Sequence, residues 1–325
     1  MGFRATALAA ILAPAAASAQ VDRLPVFDAH LHARDGVGTD RPLCIPVTVY
    51  GVVEPSCDSP IGAPLTDSAM VAVTVAELER LNVYGVISGH PLERVQRFVR
   101  KAPTRLRPAY QFSIGYDSYL TVEELRSSLT RRDYEVIGEV ELQYDGISPA
   151  DPRMEPYWAL AEELDVPIAL HLGEGYPGVP YEGDGYRVAL GHPFELESVL
   201  ARHPDLRLYV MHYGSPLVDE MIGIMNAYPN VFIDVGGNLW PYPREYVYRQ
   251  LRQFVEAGFG KRILFGSDQM TWPGLIEASI QVIEEAPFLS EVEKRDILYN
   301  NAARFFRLSE AEIRRHHDIG GGEAF

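Results

Sequence analysis

Two histidines two residues apart, His30 and His32, close the short apolar run at residues 24–27. In a β-strand alternate side chains share a face, so both imidazoles can converge on one point. Imidazole is a frequent protein ligand for borderline divalent metals. Other metal-capable side chains occupy similar places. Glu139, Glu141 and Gln143 alternate along residues 134–144, His171 ends the run 168–171, and His212 ends the run 209–212. Asp268 follows the run 263–266. Neutral imidazoles with carboxylates suit Zn²⁺, and also Mn²⁺, Fe²⁺ or Ni²⁺. Three or four such ligands leave a position for water, whose pKa falls from about 15.7 towards about 7 on an ion. The chemistry expected is attack of that water on a carbonyl or phosphoryl centre.

The elements that must position these groups follow a rhythm. Short apolar runs, one starting from Val26 and others at 83–88, 106–112, 166–172, 206–212, 231–235 and 262–266, read as strands, and residues 134–144 contain one more. Helical stretches separate them, at 74–81, 92–100, 121–131, 157–164, 194–201, 216–227, 244–257 and 275–285. Uniformly apolar strands alternating with helices predict a parallel sheet buried on both faces. Eight such units in about 270 residues predict a (β/α)8 barrel, with a doubly wound open sheet as the alternative. Barrel enzymes carry their chemistry at the C-terminal strand ends, where these residues lie. Further helices are expected at 290–299 and 301–306, with a helical tail at 310–317.

With these residues in view the sequence resembles the amidohydrolase superfamily. Phe27-Asp28-Ala29-His30-Leu31-His32, Leu264-Phe265-Gly266-Ser267-Asp268 and the closing segment Asn300-Asn301-Ala302-Ala303-Arg304-Phe305-Phe306 resemble its amidohydrolase-related branch, which includes a decarboxylase of aminocarboxymuconate semialdehyde. Gly138-Glu139-Val140-Glu141-Leu142-Gln143-Tyr144 is similar to the fourth-strand segment of the metal-dependent deoxyribonucleases of that superfamily. The resemblance implies one or two divalent metals held by His30, His32, Glu139, His171, His212 and Asp268. It implies Asp268 as ligand and general base, and Glu139 as the bridge if two ions bind. His212 would then serve the second ion; with a single ion it would polarise the substrate carbonyl.

Other residues receive weaker expectations. His90 follows the second strand and is a candidate substrate contact. Tyr176, Trp240, Tyr213 and Trp272 lie just past strand ends, as an aromatic wall or as packing. His192 and His203 flank a helix and read as capping or surface residues; His316 and His317 read as solvent-exposed. Residues 33–73 hold many prolines and glycines and no periodic helix, and read as a lid or substrate wall; residues 176–191 are the second loop expected to set the substrate.

The 325 residues, 47% hydrophobic and 23% charged, suit a soluble protein with an ample core. A net charge of −16 argues against nucleic acid or an anionic membrane as partner. Residues 1–19 read as a secretory signal: Arg4, then an Ala-rich apolar run, then Ala17-Ser18-Ala19 as the cleavage site. The mature chain from Gln20 is expected to be one barrel domain, exported to a bacterial periplasm and able to pair as a homodimer. In an oxidising compartment Cys44 and Cys57 are expected to close a disulfide. The function expected is hydrolysis of a small-molecule amide, ester or lactone. A metal-dependent non-oxidative decarboxylase is the first alternative, and a non-catalytic periplasmic binding protein the remote one.

Overall fold

The computed structural model describes residues 23–46 and 57–318. Its centre is a ring of parallel strands: β1 (Val26–His32), β2 (Val83–Gly89), β3 (Leu106–Phe112), β4 (Val136–Val140), β5 (Ile168–His171), β6 (Leu208–Met211), β7 (Val231–Asp234) and β8 (Ile263–Leu264). Each strand pairs with the next in sequence order. The ring closes through backbone hydrogen bonds between β1 and the end of β8: Ala29 N to Phe265 O at 2.8 Å, and Asp268 N to His30 O at 2.9 Å. Between strands run α1 (Asp67–Arg80), α2 (Leu92–Lys101), α3 (Val122–Thr130), α4 (Glu155–Glu163), α5 (Glu197–Arg202), α6 (Val218–Ala227) and α7 (Arg244–Glu256); α8 (Leu275–Glu284) follows β8. This is the expected (β/α)8 barrel. Among the described residues no helix is long and apolar enough to cross a membrane.

Alternation along the strands divides the core in two. Val83, Ile87, Leu208 and Val210 face the surrounding helices, while Tyr84, Val86, Tyr209 and Met211 fill the barrel. Two strands break this parity. In β1, Phe27 and Ala29 point inward but Leu31 points outward, and the pairing register shifts between Asp28 and Leu31. In β4, Val136 points inward while Ile137 and Val140 both point outward, with a shift between Ile137 and Val140. Irregularities of this kind re-aim side chains. Here they turn His30, His32 and Glu139 into the barrel.

The closing segment comprises α9 (Glu291–Arg295), a π-turn (Asp296–Asn300), α10 (Asn301–Phe305) and α11 (Glu310–Asp318). Tyr299, Phe305 and Phe306 join the inner cluster. His316, expected to be solvent-exposed, is 4% exposed. Its ring stacks 3.6 Å from Tyr84, and its Nδ1 lies 2.9 Å from the Tyr299 hydroxyl. The tail helix folds back under the barrel, and aromatic surface there covers the ring. His317 is exposed, as expected, with its ring edge-on to Tyr299.

The long segment after β1 also differs from expectation. Helix α1 begins at Asp67, capped by the Thr66 side chain, so residues 67–73 are helix. Cys44 and Cys57 are disulfide-bonded, with Cα atoms 5.9 Å apart. The expected signal segment 1–19 lies outside the described residues.

Candidate metal centre

The C-terminal strand ends enclose a cavity of about 380 Å³. On its floor, Glu139 is the hub. Its Oε1 lies 2.8 Å from His171 Nδ1 and 3.5 Å from His212 Nε2. Its Oε2 lies 3.4 Å from His32 Nε2 and 3.7 Å from His30 Nε2. Asp268 Oδ1 stands 3.0 Å from His32 Nε2 and 3.8 Å from His30 Nε2. His171 Nδ1 and His212 Nε2 approach to 2.9 Å. All six residues expected to form the centre thus converge. Two overlapping triads, His30–His32–Asp268 and His30–Glu139–His212, have the spacing of cation ligands.

Neighbouring groups decide which ring nitrogen faces inward. Asp234 Oδ2 accepts a hydrogen bond from His30 Nδ1 at 2.9 Å, so Nε2 is the nitrogen of His30 that faces the centre, and in the neutral ring it is the one with a lone pair to offer a cation. The Gly236 carbonyl accepts from His212 Nδ1 at 2.8 Å, with the same effect. Gln269 brackets the His32 backbone, accepting from its N–H at 3.0 Å and donating to its carbonyl at 2.8 Å. Asp28 Oδ1 accepts from the amides of His30 and Ser267, fastening β1 to the β8 end; burial pushes the Asp28 carboxyl up to about 6.

Backbone conformation contributes too. His212, Tyr213 and Asp268 have φ of 58°, 43° and 48°, left-handed values that L-residues rarely adopt. Such outliers cluster at functional sites. Opposite them, Gly236 and Gly237 leave room. A Cβ on Gly236 would stand 2.5 Å from His30 Nδ1, and one on Gly237 would stand 2.6 Å from both Asp268 Oδ2 and His212 Nδ1.

Burial opposes charge on every group in the cluster. It is outweighed at His30, which the Asp234 and Asp268 carboxylates hold well above the usual imidazole range. The His212 pKa is likewise raised against burial, by its hydrogen bond to Glu139. Burial, helped by the Arg34 charge, lowers His32; burial and His212 lower His171. Glu139 stays well below the usual carboxylate range despite burial, because His171 and His212 hydrogen-bond to it. Asp268 is held low by His30 and His32. The buried atoms His30 Nε2 and Asp268 Oδ1 make no hydrogen bond. Buried polar atoms are normally satisfied, so donors of this kind, gathered around two carboxylates, fit a divalent cation.

The cavity wall keeps part of the expected aromatic set. Tyr176, Trp240 and Trp272 line it; Tyr213 does not, being buried with its hydroxyl on Gln250 Oε1 at 2.6 Å. His90 does not line it either: its ring packs edge-on to Tyr110 at 6.0 Å. Strand β4 ends at Val140, so the expected alternation stops there. Glu141 still reaches the cavity, bonded to the Tyr116 hydroxyl, while Gln143 donates to the Gly173 carbonyl at 2.6 Å. His192 caps a short 3₁₀ turn; His203 is buried between Glu155 and Glu162.

A barrel with this ring of donors defines a class of metal-dependent (β/α)8 enzymes. The chain belongs to the amidohydrolase family, whose model matches residues 27–308. It spans 18% and 57% of the lengths of two curated relatives that it matches. The second is gamma-resorcylate decarboxylase from Rhodococcus jostii, 28% identical over 212 residues, or 53% of this chain. Among solved structures, the TIM-barrel protein Bb4693 from Bordetella bronchiseptica superposes with a TM-score of 0.62 at 19% identity, covering 90% of this chain and 100% of that one. The 4-oxalomesaconate hydratase of Rhodopseudomonas palustris gives 0.57 at 14% identity, covering 91% and 100%. Both likenesses show the fold.

Proposed function

We propose that this enzyme is a metal-dependent hydrolase of a small-molecule amide, ester or lactone. The observation that carries the reading is the two-sided placement of Glu139, with Oε2 towards His30 and His32 and Oε1 towards His171 and His212. That is how a carboxylate shared by two ions stands. His30, His32 and Asp268 would hold one ion, His171 and His212 the other, with Glu139 between them. Zn²⁺ suits the donor set best, with Mn²⁺, Fe²⁺ or Ni²⁺ as alternatives. Bound there, such ions supply Lewis acidity, which acidifies water and polarises a carbonyl oxygen.

The chain supplies the rest. Asp268 stays ionised at neutral pH because His30 and His32 outweigh its burial, so it can accept the proton of an attacking water. It then returns that proton to the leaving oxygen or nitrogen. Trp240 and Trp272 spend their indole N–H groups on the carbonyls of Ser267 and Arg41, at 3.1 and 2.7 Å, and so present apolar ring surface that excludes bulk water.

A decarboxylase is the second reading, favoured by one observation. Burial, with the neighbouring Glu139 charge, pushes the Glu141 carboxyl up to about 7, which leaves a proton available at the cavity wall for a substrate carbon. The likeness to gamma-resorcylate decarboxylase supports it. Elemental analysis of wild type and Glu139→Gln, beside an ester and lactone panel, separates the two. About two equivalents of metal, falling by half or more in the variant together with hydrolysis, supports the hydrolase. A single equivalent with CO₂ release and no hydrolysis overturns it. The reading includes export of the mature chain from Gln20, supported by the leader-like residues 1–19 and the Cys44–Cys57 disulfide. The intact mass of protein recovered from a bacterial periplasm tests cleavage after Ala19.

A further inference from the structure

Between β1 and α1 the described chain forms two legs, residues 36–44 running out and 57–66 running back. At their base Gly36 N donates to Asp67 Oδ1 at 3.0 Å, Val37 N to the Pro64 carbonyl at 3.1 Å and Gly38 N to the Leu65 carbonyl at 3.0 Å. Arg97 clamps this base from outside by pairing with both Asp35 and Asp67. At the tip Leu43 and Ile61 form an antiparallel bridge, each N–H on the other's carbonyl at 2.8 Å. One residue beyond Leu43, the Cys44–Cys57 disulfide joins the legs covalently. Among the described residues no backbone hydrogen bond links the legs between base and tip.

The tip is part of the cavity. Leu43 lines it, and the Arg41 carbonyl accepts the indole N–H of Trp272, another lining residue, at 2.7 Å. Ile61 rests on Gly274, where a Cβ would stand 2.9 Å from its Cγ2. Little else holds the tip. Of its described residues only Ala63 is buried; Ile45 is 38% exposed, and Cys57 is exposed. Two backbone bonds, one indole bond and a partly buried edge must offset the entropy of a free loop. The disulfide, at a sequence separation of 13, removes much of that entropy. The loop-closure account gives about 10²-fold in favour of the closed tip for a loop of this size.

The bridge is thus the chief fastening of one cavity wall, and solution reagents can reach it. Exposed disulfides are the labile ones. A dithiol cuts such a bridge when one thiolate attacks a bridge sulfur and its second thiol closes on the mixed disulfide. Two electrons and two protons pass to Cys44 and Cys57, which end as thiols, and the dithiol ends as a cyclic disulfide. No metal-facing residue lies on the tip, and the clamped base stands between the two.

We propose that the Cys44–Cys57 bridge is a thiol-responsive pin. Closed, it seats Leu43 and Trp272 as a wall of the cavity. Cut by a dithiol, it frees the tip and opens that wall while the metal centre stays whole. The seating is independent of the bond the enzyme breaks; its bearing on turnover rests on the cavity being the active site.

Amide exchange and tryptophan quenching test the pin on wild type, on wild type reduced with dithiothreitol under native conditions, and on the double variant Cys44→Ser, Cys57→Ser. Loss of the bridge is expected to speed exchange at the Leu43 and Ile61 amides at least about tenfold, with Val37 and Gly38 unchanged. Acrylamide quenching rises, and the rise is absent in a Trp272→Phe background. Metal content stays at the wild-type value, read on the serine variant because thiolates themselves bind metals. The reduced wild type carries the exchange test if the serine variant does not fold. Exchange at Leu43 and Ile61 within about twofold of wild type overturns the proposal. Metal lost together with the bridge overturns it too, since the bridge would then support the centre rather than the wall. So does a disulfide that dithiothreitol reduces only after unfolding. If exchange responds as expected but no ester or lactone is turned over, the hydrolase reading fails and the pin stands.

Discussion

Asp234→Asn is a one-atom test of how the centre is wired. Asp234 Oδ1 accepts two backbone N–H groups, His212 at 3.0 Å and Gly236 at 2.9 Å. An asparagine must keep its carbonyl oxygen on those two donors, which forces its NH₂ to face His30 Nδ1. That nitrogen must then become an acceptor, and the ring proton moves to Nε2. Nε2 is the atom aimed at Glu139 and Asp268, 3.7 and 3.8 Å away, so the variant presents N–H where a ligand lone pair stood. Groups that hold the outer nitrogen of a metal-ligating histidine are worth about 10–100-fold in affinity, or about 1.4–2.7 kcal/mol. The upper end applies here, since the substitution removes a negative charge and imposes the wrong tautomer. Competition against a chelator at pH 7.5, with Zn²⁺ and Mn²⁺ in turn, measures the loss. Affinity within about twofold of wild type would refute the argument, because the tautomer of His30 would then be irrelevant.

Three further outcomes are expected. Asp268→Asn keeps the shape but removes the proton acceptor, so turnover falls by at least about 10²-fold with the fold intact by circular dichroism; unchanged turnover would remove its role as base. Gly237→Ala puts a methyl group 2.6 Å from Asp268 Oδ2 and His212 Nδ1 at a backbone φ of 69°, so metal content and activity should fall together; full occupancy by elemental analysis would show that the loop yields. His316 is held down to about 4, chiefly by burial and then by the Arg315 charge, while the unfolded chain titrates near about 6.5. The unfolded state therefore binds more protons between those values. The stability His316 contributes is complete above about pH 6.5 and is lost, by about 2–3 kcal/mol, as pH falls towards 4. The urea midpoint should drop less between pH 7.5 and 5 in His316→Phe than in wild type, and parallel slopes would disprove it.

The barrel was legible because eight buried parallel strands write themselves as apolar runs. The ligands were legible because a polar residue ending such a run is conspicuous. Asp234 has that same placement, ending Phe232-Ile233, but the resemblance that singles out Asp268 assigns no ligand to the seventh strand, and an aspartate that holds a histidine leaves no spacing signal. Gly236 and Gly237 were visible as a pair, but their meaning depends on imidazoles from β1 and β6 that only the closed ring brings near. The parity breaks in β1 and β4 belong to pairing register, which the local sequence does not encode. His90 and His316 fail for a common reason. His90 reads as a mouth residue because it follows a strand, and His316 as surface because its stretch is charged, yet each is decided by an aromatic from another element, Tyr110 for one and Tyr84 with Tyr299 for the other. The start of α1 was missed because Thr66 and Asp67 look like loop residues until the cap is seen.

The seam of the barrel has a further consequence. β8 is two residues long, and the ring is completed beyond it by the bond from Asp268 N to His30 O. His30 and Asp268, whose side chains converge on the floor, thus also help, through their backbones, to fasten the last strand to the first, beside the Ala29–Phe265 bond. An ion held by both would act as a rivet across the joint where the ring has least pairing of its own. Filling the centre and keeping the barrel shut become one equilibrium, so free metal sets how often that joint opens, following the logarithm of its concentration over its dissociation constant. Amide exchange at Ala29 and Asp268 would then slow as metal is added, with no change expected at the opposite side of the ring, and the enzyme's resistance to heat would report on its cofactor before its activity did.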